Sequence, residues 1–216
     1  MAVEALTSDA FAKVNLTLRI TGRLADGYHT LESLVMFALV ADQLTLQPGC
    51  DLSLSIAGTC PAGLGGENNL ILRAARALAE QVAGLRAGHF ILNKRLPIAA
   101  GIGGGSADAA AALRLLAGLN GLALHDPRLQ AAARATGADV PACLLSEPLV
   151  MRGIGEILSQ RGLPDVPVVL VNPGIDVSTV EVFTALDLPR DDRIRGGDAP
   201  DIPNTFGDLI AALKGM

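Results

Sequence analysis

A glycine-rich turn constrains this chain more than any other feature. Residues 96–116 read LPIAAGIGGGSADAAAALRLL, in which a glycine cluster and a serine lead into an alanine-rich apolar run. The cluster consists of Gly101, Gly103, Gly104, Gly105 and Ser106. Glycine lets backbone N–H groups approach an anion closely, and a helix N-terminus adds unpaired donors and partial positive charge. The pattern predicts a phosphate-binding turn between a strand and a helix.

Two common phosphate motifs do not fit this turn. No Lys-Ser/Thr pair follows the last glycine, which excludes a Walker A loop. Ser106 occupies the third glycine position of a dinucleotide fingerprint, and no strand ending in an acid follows about 20 residues later. From the residues alone, a tight turn with Ser106 as an ordinary helix cap stays open as the alternative.

Composition excludes several classes of protein. Half of the 216 residues are hydrophobic and 18% are charged, which predicts a folded chain. A net charge of −5 and 3% aromatic residues argue against a nucleic-acid partner. With no apolar run of about 18 residues and no basic leader, we expect no membrane partner and a cytoplasmic location. Three cysteines without metal-site spacing are expected to be reduced thiols: Cys50, Cys60 and Cys143.

Strands are expected first and helices later, which predicts an α+β fold. The strand segments are residues 10–21, 31–40, 42–48, 51–57, 89–96, 148–160 and 166–174. The helical segments are residues 70–84, the run after the glycine turn, 127–137 and 205–215. Alternation in the first strand puts Lys13 and Asn15 on the same face.

The segment from Pro97 to Ser106 resembles the second motif of the GHMP kinases, a proline, three small or apolar residues and Gly-Ile/Leu-Gly-Gly-Gly-Ser. Residues 12–33, 137–141 and 171–183 are similar, in order, to the 4-diphosphocytidyl-2-C-methyl-D-erythritol kinase family within that group. The resemblance implies the GHMP kinase fold. It assigns residues 1–147 to a ribosomal-protein-S5-domain-2-like ATP-binding domain. We expect residues 148–216 to be an incomplete ferredoxin-like C-terminal domain, because the family's third glycine-rich motif does not appear.

The same resemblance implies ATP-dependent phosphorylation of the 2-hydroxyl of a cytidylated methylerythritol, with Mg²⁺ accompanying ATP. Asp139, in the sequence GADVP, would alone be interpreted as a turn former. The resemblance gives it the position of the catalytic base. Lys13, otherwise an ordinary solvated strand lysine, would lie beside Asp139 and stabilise the developing alkoxide.

Five residues are assigned to the acceptor substrate by the resemblance. Tyr28 would stack on the cytosine ring, His29 would bind the base edge, and Phe183 would provide the opposite stacking ring. Asn15 would help to fix the substrate, and Thr179 would lie near the same pocket.

Eight residues are assigned to ATP: Asn69, Lys94, Pro97, Gly101, Gly103, Gly104, Gly105 and Ser106. Asn69 is equally suited to be the N-cap of the following helix. Asp108, in the first turn of the next helix, is expected to point away from ATP, since a carboxylate repels phosphate. No protein cage for a metal is apparent in the sequence.

Two alternatives remain. The chain could be another GHMP small-molecule kinase, although Tyr28, His29 and the residues around Phe183 argue against homoserine, mevalonate or galactose as substrate. It could instead be a nucleotide-binding module without catalysis. In either case the partner is a small molecule, and we expect a monomer or a weak homodimer.

Overall fold

The fold is taken from a computed structural model of the chain. The structure describes residues 4–58, 66–172, 179–189, 192–193 and 205–214. At Thr179, Val180, Asp192 and Arg193 the description covers the backbone alone. Cys60 lies outside these residues, while Cys50 is an exposed free thiol and Cys143 a buried one.

The described strands form one eight-stranded sheet, accompanied by six helices. The strands are β1 (Leu6–Asn15), β2 (Arg19–Arg23), β3 (His29–Gly49), β4 (Ser53–Gly58), β5 (Ala87–Lys94), β6 (Leu149–Gly153), β7 (Ile157–Gln160) and β8 (Asp192–Arg193). The helices are α1 (Leu70–Gln81), α2 (Gly104–Asn120), α3 (Pro127–Thr136), α4 (Val140–Leu145), α5 (Thr179–Ala185) and α6 (Phe206–Lys214). The predicted α+β class is confirmed. None of the described helices has the length and apolarity needed to cross a membrane.

The 21-residue strand β3 organises the sheet. It pairs antiparallel with β1 and β2, and also with β5 and β6. The sequence predicted two strands here, residues 31–40 and 42–48, and this was wrong. A bulge in β3 keeps this segment a single strand. Phe11 of β1 pairs with Ala41 and Ala12 pairs with Ala38, so the two residues of β3 between these partners have no partner in β1.

The first predicted strand, residues 10–21, is divided instead. β1 ends at Asn15 and β2 begins at Arg19, because Leu16 and Thr17 leave the ladder and both donate their N–H groups to the Leu34 carbonyl. The expected shared face of Lys13 and Asn15 is confirmed by a direct hydrogen bond between their side chains.

The main core lies between the sheet and helices α1, α2 and α3. Fully buried side chains such as Leu44, Leu46 and Phe90 of the sheet pack against Ile71 and Leu113 of the helices. Six alanines of α2 are also buried, and their small side chains let this helix approach the sheet closely: Ala107, Ala109, Ala110, Ala111, Ala112 and Ala117. The start of α2 is therefore held at a fixed place beside β1 and β5.

The expected strand at residues 166–174 is wrong for its described part. Residues 161–172 form no regular element, and Val169 and Val171 are 87% and 85% exposed. An extended apolar run becomes a strand when a neighbour takes its backbone hydrogen bonds. No described strand pairs with this run. The division into two domains at residue 147 stays a prediction, although β6 and β7, which follow it, belong to the same sheet.

Candidate active site

A cavity of about 560 Å³ lies where the N-terminal ends of α1 and α2 meet. All eight residues predicted to bind ATP line it: Asn69, Lys94, Pro97, Gly101, Gly103, Gly104, Gly105 and Ser106. Asp139 lines the same cavity, together with Asp108. The fold thus brings the glycine turn and the predicted catalytic carboxylate into one space.

Gly103 makes the turn into α2 possible. Its φ of 65° is in the left-handed region, and it is the residue that precedes the helix. A Cβ placed on it would stand 3.1 Å from the Cβ of Lys13, so the turn and β1 approach each other closely. The alternative in which Ser106 caps the helix is wrong, because α2 begins at Gly104 and Ser106 lies within its first turn.

Asn69 is the N-cap of α1, since its Oδ1 accepts a hydrogen bond of 2.9 Å from the Ile71 N–H. Its cap role and its place at the cavity are therefore compatible. Two helix N-termini, those of α1 and α2, end at this cavity. Their unpaired N–H groups and partial positive charge make it suited to an anion such as phosphate.

Lys13 and Asp139 are brought together by tertiary structure. The Lys13 Nζ lies 3.4 Å from Asp139 Oδ1 and donates a 2.9 Å hydrogen bond to Asn15 Oδ1. The lysine side chain is 5% exposed, whereas that of Asp139 is 40% exposed. Asp139 immediately precedes α4, yet its side chain makes no capping hydrogen bond. Its carboxylate is consequently directed to Lys13 and the cavity rather than to the backbone.

A second lysine of the cavity wall is held by two carboxylates. Lys94 Nζ donates to Asp42 Oδ2 at 2.6 Å and to Asp108 Oδ2 at 2.7 Å. Asp42 Oδ1 also accepts hydrogen bonds from the N–H groups of Arg95 and Leu96, at 2.6 and 2.8 Å. This cluster links the end of β5 to the first turn of α2. It anchors both ends of the glycine turn, and it engages the Lys94 ammonium that the sequence assigned to ATP.

Asp108 was expected to point away from ATP. It is instead buried and is one of the residues that line the cavity. Burial raises the pKa of Asp108 to about 7, although the charge of Lys94 opposes the shift. Burial by itself would lower the pKa of Lys94, but Asp108 and Asp42 outweigh it and the pKa is raised. Asp108 Oδ1 is buried without a hydrogen-bond partner among the described residues. Lys94 therefore stays charged, and Asp108 can take up a proton near neutrality.

Two of the predicted base-binding residues, His29 and Phe183, are in contact with each other. The rings of His29 and Phe183 lie 5.1 Å apart between centroids, tilted by 31°. Tyr28, which precedes His29 in the sequence, is 63% exposed, and the side chain of Thr179 lies outside the described residues. None of these residues lines the cavity beside the glycine turn. The contact between His29 and Phe183 brings together two distant parts of the chain, as a base site built from both residues requires.

Sequence reasoning missed Asp42 and Ser33. Both are fully buried polar residues in β3. Asp42 lies on the same buried face of β3 as Leu44 and Leu46. A carboxylate at a position where the alternating pattern expects an apolar residue could have indicated a buried ion pair. Ser33 carries no comparable signal, since a single serine fits either face of a strand.

The residues present are compatible with a metal ion that arrives with the nucleotide. The described part of the chain holds no group of three or more His, Cys, Asp or Glu side chains suited to a resident metal. The cavity does offer the Ser106 hydroxyl and the Asp139 carboxylate. Mg²⁺ commonly takes one or two protein oxygens and completes its shell with phosphates and water.

The chain is similar to a known family of kinases. Residues 69–147 match the family described as GHMP kinases N terminal domain. A 4-diphosphocytidyl-2-C-methyl-D-erythritol kinase of Rhodopseudomonas palustris (strain BisB18) is 60% identical over 217 residues, covering 98% of this chain and 71% of the relative. One of Bradyrhizobium sp. (strain BTAi1 / ATCC BAA-1182) is 56% identical over 210 residues, covering 94% and 70%.

Solved structures agree with these relatives. A crystal structure of 4-(cytidine 5'-diphospho)-2C-methyl-D-erythritol kinase matches with a TM-score of 0.69 and 36% identity, over 97% of this chain and 72% of that one. Homoserine kinase from Cytophaga hutchinsonii matches with a TM-score of 0.60 and 17% identity, over 99% and 65%. The second likeness concerns the fold alone.

Proposed function

The chain belongs to the 4-diphosphocytidyl-2-C-methyl-D-erythritol kinase family of the GHMP kinases, and we propose that it transfers the γ-phosphoryl group of ATP to the 2-hydroxyl of the cytidylated methylerythritol. The observation that carries this proposal is the Lys13–Asp139 pair at the glycine-turn cavity. A carboxylate base, a cation and a phosphate-binding turn are the parts that phosphoryl transfer to an alcohol requires.

The transfer itself uses Asp139 and Lys13. Asp139 accepts the proton of the acceptor hydroxyl as the oxygen attacks the γ-phosphorus. The new P–O bond forms while the bond from the γ-phosphorus to the bridging oxygen of the β-phosphate breaks, and ADP leaves. The Lys13 ammonium, 3.4 Å from the carboxylate, stabilises the negative charge that develops on the acceptor oxygen.

ATP is bound through its phosphates by the start of α2. The backbone N–H groups of the turn from Gly101 to Ser106 face the phosphates, and the dipole of α2 favours their negative charge. Ser106 and Asp139 would supply the protein oxygens for a Mg²⁺ ion that accompanies ATP. When bound, it neutralises phosphate charge.

The acceptor extends from Lys13 towards the ring pair of His29 and Phe183. His29 lies four residues before Ser33 on β3, roughly 13 Å at about 3.3 Å per residue. Ser33 is hydrogen-bonded to Asn15, which in turn contacts Lys13. That separation supports an elongated acceptor with its reactive hydroxyl at Lys13 and its base at His29, Phe183 and Tyr28. Thr179 is included in this base site by the family resemblance alone.

A coupled ADP-release assay tests this function. We expect turnover with the cytidylated methylerythritol and far less with uncytidylated methylerythritol phosphate, because the latter cannot use the base site. Turnover that ignores the cytidyl group would favour another GHMP small-molecule kinase. ATP binding by calorimetry without any ADP release would favour a non-catalytic nucleotide-binding module.

A further inference from the structure

We propose that Ser33 is a positioning residue that fixes the orientation of the Asn15 side-chain amide and, through it, holds the Lys13 ammonium at Asp139. This inference rests on the proposed function for its kinetic consequence. The hydrogen bonds from which it is argued lie within the chain and do not depend on a bound substrate. Ser33 lies in β3, is 0% exposed and is not among the residues that line the cavity.

A continuous series of hydrogen bonds runs from Lys13 to the backbone. Lys13 Nζ donates to Asn15 Oδ1 at 2.9 Å, and Asn15 Nδ2 donates to Ser33 Oγ at 2.6 Å. Ser33 Oγ in turn donates to the carbonyl oxygen of Thr17 at 2.5 Å. Four residues of β1, of the segment after it and of β3 are joined in this way.

The two ends of the series fix its direction. An ammonium group has donors and no acceptor, and a backbone carbonyl has acceptors and no donor. The Asn15 oxygen must therefore face Lys13, and its Nδ2 must face Ser33. The single Ser33 proton is then committed to the Thr17 carbonyl. Rotating the amide by 180° would set its N–H groups against the Lys13 ammonium.

The far end of the series is rigid. Thr17 Oγ1 accepts a 3.0 Å hydrogen bond from the Leu34 N–H, and the Leu34 carbonyl accepts from the Leu16 N–H at 2.8 Å. The Thr17 carbonyl is thereby fixed against β3. A group placed by backbone of this kind loses little further entropy when it orients its neighbour.

Loss of the Ser33 hydroxyl weakens the preference for this amide orientation, because only Lys13 then favours it. In Ser33→Ala, the Asn15 Nδ2 loses its acceptor, and the flipped amide repels Lys13 for part of the time. The ammonium then spends less time near Asp139. We expect a fall in kcat of about tenfold, the scale of one buried hydrogen bond, with the KM for ATP unchanged.

A double-mutant cycle separates positioning from general destabilisation. Ser33→Ala, Asn15→Ala and the double variant are assayed for kcat. If Ser33 acts through Asn15, Ser33→Ala has no further effect when Asn15 is already alanine. Thr136→Val is the matched control, because Thr136 is a buried hydroxyl that bonds the Ala132 carbonyl within α3. Its effect should be the same in both backgrounds. Equal losses from Ser33→Ala in both backgrounds would overturn the proposal.

A second measurement does not require turnover. The Asn15 side-chain amide signals in a ¹H–¹⁵N correlation spectrum, assigned by their loss in Asn15→Ala, should shift and exchange faster with water in Ser33→Ala and stay in place in Thr136→Val. Unmoved signals in a folded Ser33→Ala protein would overturn the role of Ser33. An unmutated protein that releases no ADP would instead overturn the proposed function, and the spectrum would still decide the orientation of Asn15.

Discussion

The ammonium of Lys13, in β1, lies 3.4 Å from the carboxylate of Asp139, in the turn before α4. The lysine is buried, and the carboxylate faces the cavity that the glycine turn also lines. An ion pair between a buried cation and a half-exposed anion is a weak argument for stability. At the edge of this cavity it is instead well placed to act on a reacting hydroxyl. The first prediction follows from this geometry.

Asp139→Asn is expected to lower kcat by about 10²–10⁴-fold, because the amide keeps the shape of the side chain but cannot accept the proton. ATP affinity, measured by calorimetry, should change by less than about tenfold, since a base acts mainly in the transition state. Lys13→Met should lower kcat similarly. Asp51→Asn, at an exposed position outside the cavity, is the control and should behave as the unmutated protein. An equal loss of ATP affinity in Asp139→Asn would identify a structural residue.

Gly103→Ala is expected to weaken ATP binding and to lower kcat together. The left-handed φ of 65° costs an L-residue about 1–2 kcal/mol, and the new Cβ would stand 3.1 Å from the Cβ of Lys13. Gly118→Ala, within α2, is the matched control, because a Cβ there meets nothing within 4 Å. It should raise stability by about 0.5–1 kcal/mol without affecting ATP. Unchanged calorimetric affinity in folded Gly103→Ala would contradict the phosphate-turn assignment.

Asp108 predicts a pH dependence of stability. Its folded-state pKa is raised from 3.8 to about 7, so the folded protein holds this proton more tightly than the unfolded chain does. The stabilisation is fully present below pH 3.8 and is lost as the pH rises through about 7. Thermal melting between about pH 5 and pH 8 should therefore show a fall in melting temperature that is smaller in Asp108→Asn. Asp51→Asn should keep the slope of the unmutated protein. Identical slopes in all three proteins would contradict a raised pKa of Asp108.

Phe183→Ala is expected to weaken CDP and UDP alike, by about 1–3 kcal/mol, because stacking does not distinguish the bases. His29→Ala should instead reduce the preference for CDP, since hydrogen bonds to the base edge select it. His29 Nε2 is buried without a hydrogen-bond partner among the described residues, which suits such a role. Phe206→Ala, an exposed ring on α6, serves as the control in the same titrations. Equal binding of CDP and UDP by the unmutated protein would be evidence against a cytosine site.

The elements most accurately predicted are those fixed by neighbours in the chain. Asn69 caps α1, Pro127 begins α3 and the glycine turn leads into α2, as expected. In each case the deciding hydrogen bonds or backbone angles lie within one turn of the residue concerned. Strand limits were less accurate. Whether residues 31–48 form one strand or two depends on a bulge against β1, and whether residues 166–172 form a strand depends on a neighbour elsewhere in the chain.

By itself, the sequence determined the glycine turn, the apolar α2 behind it and the shared face of Lys13 and Asn15, because these follow from local backbone geometry and alternation. The tertiary structure alone decided that Lys94 is held by Asp42 and Asp108, and that Ser33 supports Asn15. Pairing register and helix docking set such contacts, and a buried charge or hydroxyl takes the partner that the packed fold brings within about 3 Å. Such a contact cannot be deduced from how far apart the two residues lie in the sequence.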